Sequence, residues 1–280
     1  MDHAKPALSV IIPAHNEAGL IGPCLDALLT SDWAGGGLEV IVVANGCTDT
    51  TVPEAETRRA RTEARGWRMQ MLDLAQGSKP GALNAGERAA TGQVLAYLDA
   101  DVEVTPPLLA EIAQALSGPD PAHASGRVII PPPQTAFSRT YARFYRQVPF
   151  FHHGVPGCGF FAMNRAGRAR WGEWPGIISD DTFARLNFAP NERIAVKAGY
   201  RWPLVEGFGA LVKVRRRQDR GVAELAEAYP ALLANDDTRP SGRDWIIGAA
   251  RRAPMAFLAY VTVALAVRTG KGSGEWTRGR

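Results

Sequence analysis

Four short apolar runs, each followed by a stretch of helical character, constrain the fold of this chain more than any other feature. The runs are Leu8–Ile12, Leu38–Val43, Met69–Leu74 and Val94–Leu98. The first two are nearly unbroken and rich in β-branched residues, the mark of strands buried on both faces. Between them the pattern predicts helices over Glu17–Leu29, with Asn16 or a neighbour as cap, and over Thr51–Ala64, with Thr48 as cap. A short helix over Ala82–Ala90 follows a loop at Gly77–Gly81, and another over Pro106–Leu116 opens on proline. This strand–helix alternation predicts an α/β chain with a doubly wound, mostly parallel sheet flanked by helices.

In such sheets ligands bind beyond the carboxyl ends of the strands. Three segments should therefore gather at one edge: Pro13–Glu17, Ala44-Asn45-Gly46 and Asp99-Ala100-Asp101. The second half is less regular. It reads as a strand in Gly157–Met163, a short helix over Asp180–Leu186, a strand over Arg193–Ala198 and an amphipathic helix over Val222–Leu233. Trp245–Val267 is mostly apolar, interrupted by Arg251-Arg252 and Pro254.

Composition narrows the class. The chain has 280 residues, 46% hydrophobic and 21% charged, which excludes a disordered or collagenous protein and leaves room for a full core. Its three cysteines, Cys24, Cys47 and Cys158, lack metal-ligand or disulfide-framework spacing, so a reducing, cytoplasmic setting is expected. The N-terminus carries no signal-peptide pattern. The net charge of +4 is uneven, because residues 201–280 hold 14 basic and 8 acidic side chains. Such a tail serves solubility or attraction to an anionic surface.

Several clusters can carry chemistry. Asp99 and Asp101, two apart at a strand end, point to one face and suit a hard divalent cation such as Mg²⁺ or Mn²⁺. The same pair would also serve as a cap and a turn. Gly77–Gly86 frees the backbone for close approach and offers Lys79 to a phosphate, yet it has the order of neither a Walker loop nor GxGxxG. Asn45 could read a base edge or form an Asn-Gly turn. Asp180-Asp181 could supply a general base or acidic first-turn residues of a helix. His152-His153 has no third ligand at a useful spacing. Val212–Arg220 reads as a solvated or phospholipid-facing basic run, and without an accompanying nucleic-acid motif it gives no case for nucleic-acid binding.

Taken in order, LSVIIPAHNEAGLIGPCLDALL, LEVIVVANGCTDTT, GSKPGALNAGERAATGQVLAYLDADVEV, GCGFFAMNRAG and SDD resemble the family-2 glycosyltransferases of the GT-A fold, from Leu8 to about Arg220. The resemblance implies transfer of a sugar from a nucleotide-sugar to an acceptor hydroxyl with inversion, dependent on Mn²⁺ or Mg²⁺. It implies that Ala14, His15 and Glu17 line the nucleotide pocket, His15 beside the base. Asn45 stands where the family often has a base-reading aspartate, which leaves UDP-, GDP- and dTDP-sugars open as donors. Lys79 lies near the phosphates, Asp99 faces the ribose and the metal, and Asp101 binds the metal. Asp181 or its neighbour Asp180 takes the acceptor's proton, and Gly157–Phe161 walls donor from acceptor. The implied organisation is a catalytic domain over 1–220, with a nucleotide-sugar half 1–104 and an acceptor half 105–220, then a helical C-terminal extension over 221–280. Gln218-Asp219-Arg220-Gly221 matches the processive synthases' QxxRW poorly, so non-processive transfer is expected. The competing reading is an inactive nucleotide-sugar-binding protein of the same fold.

Ala253–Val267 is 15 residues without a charge, flanked by Arg251-Arg252, Arg268 and Lys271. About 20 apolar residues are needed to cross a bilayer. The segment is thus expected either to lie in a membrane interface, its arginines toward anionic headgroups, or to pack on the catalytic domain. Interface contact would place the protein peripherally on the inner face of the plasma membrane, with a lipid-linked rather than a glycan acceptor.

Overall fold

The computed structural model describes residues 7–34, 37–152, 154–237 and 243–269. Eight strands form one sheet: β1 Leu8–Ala14, β2 Leu38–Asn45, β3 Arg68–Leu74, β4 Val94–Leu98, β5 Glu103–Val104, β6 His123–Ile129, β7 Phe160–Asn164 and β8 Arg193–Arg201. Their order is β3-β2-β1-β4-β7-β6-β8-β5. β1 pairs parallel with β2 and β4, and β2 with β3, while β7 runs antiparallel to both its neighbours. The chain leaves β1 toward β2 and β3, then returns to β4 on the other side. The order thus reverses between β1 and β4, and the crevice at their carboxyl ends is the ligand position of a doubly wound sheet.

Strand alternation explains the unbroken apolar runs. Leu8, Val10 and Ile12 face one side of β1, against Leu25 and Leu28 of α1 (Ile21–Leu29) and Leu108 and Ile112 of the helix Leu108–Ala115. Ile11 faces the other side with Ile41 and Val43. Both faces are covered, so both parities must be apolar. On the second face the helix Lys79–Ala89 lies so close that a Cβ on Gly86 would stand 2.5 Å from Ile11 Cγ2. Glycine is required there for contact distance rather than for backbone freedom.

The predicted helix over Thr51–Ala64 is two, α2 (Thr51–Glu56) and α3 (Arg59–Ala64). Between them the Thr57 hydroxyl donates to the Glu54 carbonyl at 2.6 Å, competing with the helix ladder. The first helix starts at Ile21 rather than Glu17. Asn16 is left-handed (φ 55°), and its Oδ1 accepts from the Thr48 and Asp49 amides instead of capping its own helix. The third helix, α4 (Lys79–Ala89), begins earlier than predicted, because Ser78 Oγ accepts from the Gly81 amide and Pro80 fits the first turn. α5 is Leu108–Ala115. β6 and α6 (Ala136–Tyr145) were not anticipated. After the one-turn α7 (Arg165–Arg168) comes α8 (Asp180–Leu186), as predicted. α9 spans Phe208–Ala228 and absorbs both the basic run and much of the predicted Val222–Leu233 helix. A domain boundary at residue 220 would fall inside α9.

The C-terminal segment forms α10 (Arg243–Arg252) and α11 (Pro254–Thr269), separated at Pro254. Ala259 and Val263 of α11 pack with Tyr141 and Tyr145 of α6 and Leu211 of α9. Arg216 donates to the Ala266 and Val267 carbonyls at the far end of α11. Met255, Leu258 and Leu265 stay 69%, 57% and 55% exposed on its other side. Among the described residues no helix is long and apolar enough to cross a membrane.

One buried carboxylate ties the sheet together. Glu39, fully buried on β2, accepts from the Ser9 hydroxyl at 2.5 Å, the Thr91 amide at 2.5 Å and the Gly92 amide at 3.2 Å. Glu39→Gln keeps the shape but turns one acceptor into a donor among donors. It is expected to lower stability by about 1–3 kcal/mol, read as a shift in urea midpoint without a change of slope.

Candidate active site

The crevice between β1 and β4 opens into a cavity of about 370 Å³. His15, Glu17, Asn45, Lys79, Asp99, Asp101, Asp180 and Asp181 all line it. Residues separated by up to 166 positions thus converge, as the strand order requires. Ala14 is the exception. Its side chain is fully buried in the core, and only its carbonyl serves the site, as an acceptor for Asn45.

Each member is held by its element. At the end of β1, His15 Nδ1 lies 2.6 Å from the Asn45 carbonyl. A carbonyl can only accept, so Nδ1 carries the proton. The Glu17 amide donates to Thr51 Oγ1 at 2.7 Å. At the end of β2, Asn45 is 3% exposed, and both ends of its amide are spent on backbone. Nδ2 donates to the Ala14 carbonyl at 2.8 Å, and Oδ1 accepts from the Ser78 amide at 3.0 Å. Asn45 therefore frames the pocket and pins the loop that starts α4; it presents no free edge to a base. Gly46 (φ +62°) lets β2 turn against that loop, where a Cβ would meet the Gly77 amide nitrogen at 2.6 Å.

That loop delivers Lys79 to the middle of the site. Its Nζ lies 2.9 Å from Asp99 Oδ1 on the end of β4 and 3.1 Å from Asp180 Oδ1 on α8. Burial opposes the ammonium charge, but Asp180 and Asp99 outweigh it and raise the Lys79 pKa. Asp180 is 6% exposed. Burial raises its carboxyl pKa, with Lys79 pulling the other way. Asp181 also feels the Lys79 charge, which opposes the rise of its pKa. Its Oδ1 accepts from the Thr182 amide at 2.6 Å. Burial first, and the neighbouring Asp180 charge second, push it up to about 6. Both carboxyls are thus raised by burial, and of the two Asp180 is the one ion-paired with Lys79.

Asp101 borders the same cavity two residues beyond Asp99. Among the described residues no three His, Cys, Asp or Glu side chains cluster as a complete metal site. The Asp99/Asp101 oxygen pair nevertheless fits a hard divalent cation, which takes one or two protein carboxylates and fills its shell with phosphate oxygens and water. Of the segment expected to wall donor from acceptor, Cys158 and Gly159 line the cavity. His152 lies outside it, exposed, with Nε2 2.7 Å from the Arg146 carbonyl. His153 lies outside the described residues.

The cavity is also lined by residues outside the expected site. Tyr141 and Tyr145 come from α6, Trp202 and Leu204 follow β8, and Leu211, Arg215, Arg217 and Gln218 come from α9. The basic run is therefore not wholly a solvated surface. The signal was present: Leu211, Arg215 and Gln218 fall at i, i+4 and i+7 on one face of a helix.

The family model described as Glycosyl transferase family 2 matches residues 9–184. Glycosyltransferase AglE of Haloferax volcanii is 38% identical over 101 residues, 36% of this chain and 32% of that protein. Validoxylamine A glucosyltransferase of Streptomyces hygroscopicus subsp. jinggangensis is 33% identical over 117 residues, 42% of this chain and 27% of that one. The matched segments thus span about a third or less of these relatives' length. The mannosyltransferase PcManGT of Pyrobaculum calidifontis, solved with GDP-Man and Mn²⁺, superposes with a TM-score of 0.57 at 23% identity, over 96% of this chain and 77% of that one. Its likeness, with that of other GT-A structures, shows the fold: a GT-A sheet flanked by helices, with a helical C-terminal region.

Proposed function

The chain belongs to glycosyl transferase family 2, and from that premise we propose an inverting, divalent-cation-dependent, non-processive transfer of a sugar from a nucleoside-diphosphate sugar to an acceptor hydroxyl. The observation that supports this reading is that Asp181, its carboxyl raised by burial, lines the same cavity as the Asp99/Asp101 pair. The acceptor oxygen attacks the anomeric carbon while its proton passes to Asp181. The bond from that carbon to the diphosphate breaks, and the diphosphate leaves with the electron pair. Inversion needs one base and no second catalytic carboxylate, in contrast to retaining hydrolysis. Asp180 remains paired with Lys79 and helps set the charge around the base.

Asp101, with Asp99, would hold the divalent cation, which when bound neutralises charge developing on the diphosphate as a Lewis acid. His15 and Glu17 would flank the nucleoside, and Lys79 and Arg217 would add positive charge near the phosphates. In this reading residues 1–104 supply most donor contacts and residues beyond 105 the acceptor contacts and the base. The poor QxxRW match at Gln218-Asp219-Arg220-Gly221 supports single transfers over processive synthesis.

The donor reading is tested by thermal shift with UDP, GDP, dTDP and CDP, each with and without Mn²⁺. A ligand of the native state raises the midpoint by mass action. A manganese-dependent rise with one nucleotide is expected and identifies the base; no rise with any of the four overturns the reading.

The same protein is proposed to work at the cytoplasmic surface of an anionic membrane. Support comes from α10 and α11, where exposed Ile247, Met255, Leu258 and Leu265 lie among exposed Arg251, Arg252 and Arg268. Apolar side chains inserted at headgroup depth with arginines at the phosphates is the pattern of an interfacial helix. The full chain is expected to float with phosphatidylglycerol vesicles, and the triple substitution Met255→Ser, Leu258→Ser, Leu265→Ser to remain at the bottom of the gradient. Equal flotation of both would defeat this assignment.

A further inference from the structure

Asp181 sits on a helix that does not fix its own start. Ser179 precedes α8 and gives it no side-chain cap. The turn before α8 is held instead from α9. Glu224 Oε2 accepts from the Ile178 amide at 2.9 Å, across 46 positions of sequence. One turn earlier in α9, Gly221 lies flat against the same turn. A Cβ there would overlap the Ser179 hydroxyl and stand 2.9 Å from Ile178 Cγ2. Glycine weakens a helix interior, and here it is what lets the two segments touch. Ile178 and Ser179 both border the cavity, directly before Asp180 and Asp181.

The chain that continues from α9 grips the other end of α8. The Tyr229 ring meets the Phe183 ring edge-on at 5.1 Å, and the Asn235 amide donates to the Leu186 carbonyl at 2.9 Å. Asp237 Oδ1 accepts from Arg185 at 2.9 Å and from Arg193 at 2.7 Å. Both arginine side chains are buried, so removing the carboxylate would strand two charges, and this end is a fixed anchor. At the near end one amide bond and one close approach decide where the turn lies. Proton transfer needs a base within hydrogen-bond reach of the attacking oxygen, and a displacement of about 1 Å can cost a hundredfold in rate. Resting on the glycosyltransferase reading, we propose that Glu224 and Gly221 are positioning residues, which set where Asp181 stands in the cavity although neither lines it. Arg217, which does line it, precedes them at i, with Gly221 at i+4 and Glu224 at i+7, on one face of α9. The helix that borders the cavity is thus also the rest on which the base-bearing turn lies.

The experiment uses the full chain with Mn²⁺ and takes water as the acceptor. The donor is UDP-, dTDP- or CDP-glucose or GDP-mannose, matched to the nucleoside diphosphate that raises the midpoint. Water bonds to the anomeric carbon, its proton passes to Asp181, and the diphosphate leaves with the electron pair of the broken bond. Single-turnover release is expressed per nucleotide bound by calorimetry, so unfolded chains do not count. Glu224→Ala is expected to slow release about ten- to a hundredfold while nucleotide affinity stays within about twofold. Glu224→Gln keeps an oxygen for the Ile178 amide and is expected to hold the rate within about threefold. Gly221→Ala improves helix propensity yet is expected to slow release about tenfold. It should cost less in a Ser179→Ala background, where the hydroxyl it would meet is gone. A purely structural role would lower the midpoint and leave the rate per bound nucleotide alone. Full rate in Glu224→Ala, or an equal cost of Gly221→Ala in both backgrounds, overturns the inference while hydrolysis by the unaltered protein still stands. No hydrolysis by the unaltered protein with any of the four donors instead strikes the glycosyltransferase reading itself, and the inference falls with it.

Discussion

Asp181→Asn is expected to leave donor binding intact and to slow transfer by roughly a hundredfold or more, the range for loss of a positioned general base. Asparagine keeps the size of the side chain and can still accept from the Thr182 amide, so the first turn of α8 should hold. What disappears is proton affinity. Thermal shift with the preferred nucleotide and Mn²⁺ reports the first property, and single-turnover transfer reports the second. The pH dependence gives an independent check. A base works only when deprotonated, and Asp181 is pushed up to about 6 by burial and by Asp180. The transfer rate of the unaltered enzyme is therefore expected to rise with pH through about 6 and then level off. Asp181→Asn should flatten that limb. Near-normal turnover in the variant would move the role to Asp180, whose pairing with Lys79 at 3.1 Å makes it the poorer acceptor of a proton.

The second large effect is expected at Asp101→Ala, which should abolish the Mn²⁺-dependent part of nucleotide affinity. The argument is one of donor count. Asp99 already shares its Oδ1 with Lys79, so a cation held by the pair would draw chiefly on Asp101. Without it a cation would depend on Asp99 alone, in competition with an ammonium. Calorimetric titration of the nucleotide with and without Mn²⁺ separates the two contributions. If both titrations match those of the unaltered protein, the cation assignment is wrong. Asp101→Asn should give an intermediate loss, because it keeps one oxygen and removes the charge.

Much of this site was legible because its residues sit at strand ends. A strand buried on both faces advertises itself by an unbroken apolar run, and the residue after the run marks the crevice. Leu98 is followed by Asp99 in this way, and Ile12 by the Pro13–Glu17 segment. Residues whose work is done through the backbone were harder to read. The sequence offers no sign that the Asn45 amide is consumed by Ala14 and Ser78, since the partners lie 31 and 33 positions away. Ala14 was misplaced for a related reason: its side chain packs inward while its carbonyl carries the contact. The lining from α6 and α9 escaped because α6 mixes arginine with aromatics and α9 carries a basic run, patterns that resemble a surface until the face meeting the cavity is known. β6 was missed through its polar and small residues: His123 is buried against the Phe161 and Phe188 rings, and the buried Ser125 hydroxyl donates to the Phe160 carbonyl.

α11 serves two masters with one set of sixteen residues. Its inner positions, Ala256, Ala259 and Val263, are small and are read by shape, because they fit against the helices that wall the cavity. Its outer positions, Met255, Leu258 and Leu265, touch no neighbour closely enough to be buried and are read by polarity alone. The two sets alternate along the helix and share no residue. Substitution on the outer side can therefore change the polarity of an exposed surface without disturbing the packing on α6 and α9. Substitution on the inner side can reshape that packing without altering the outward face.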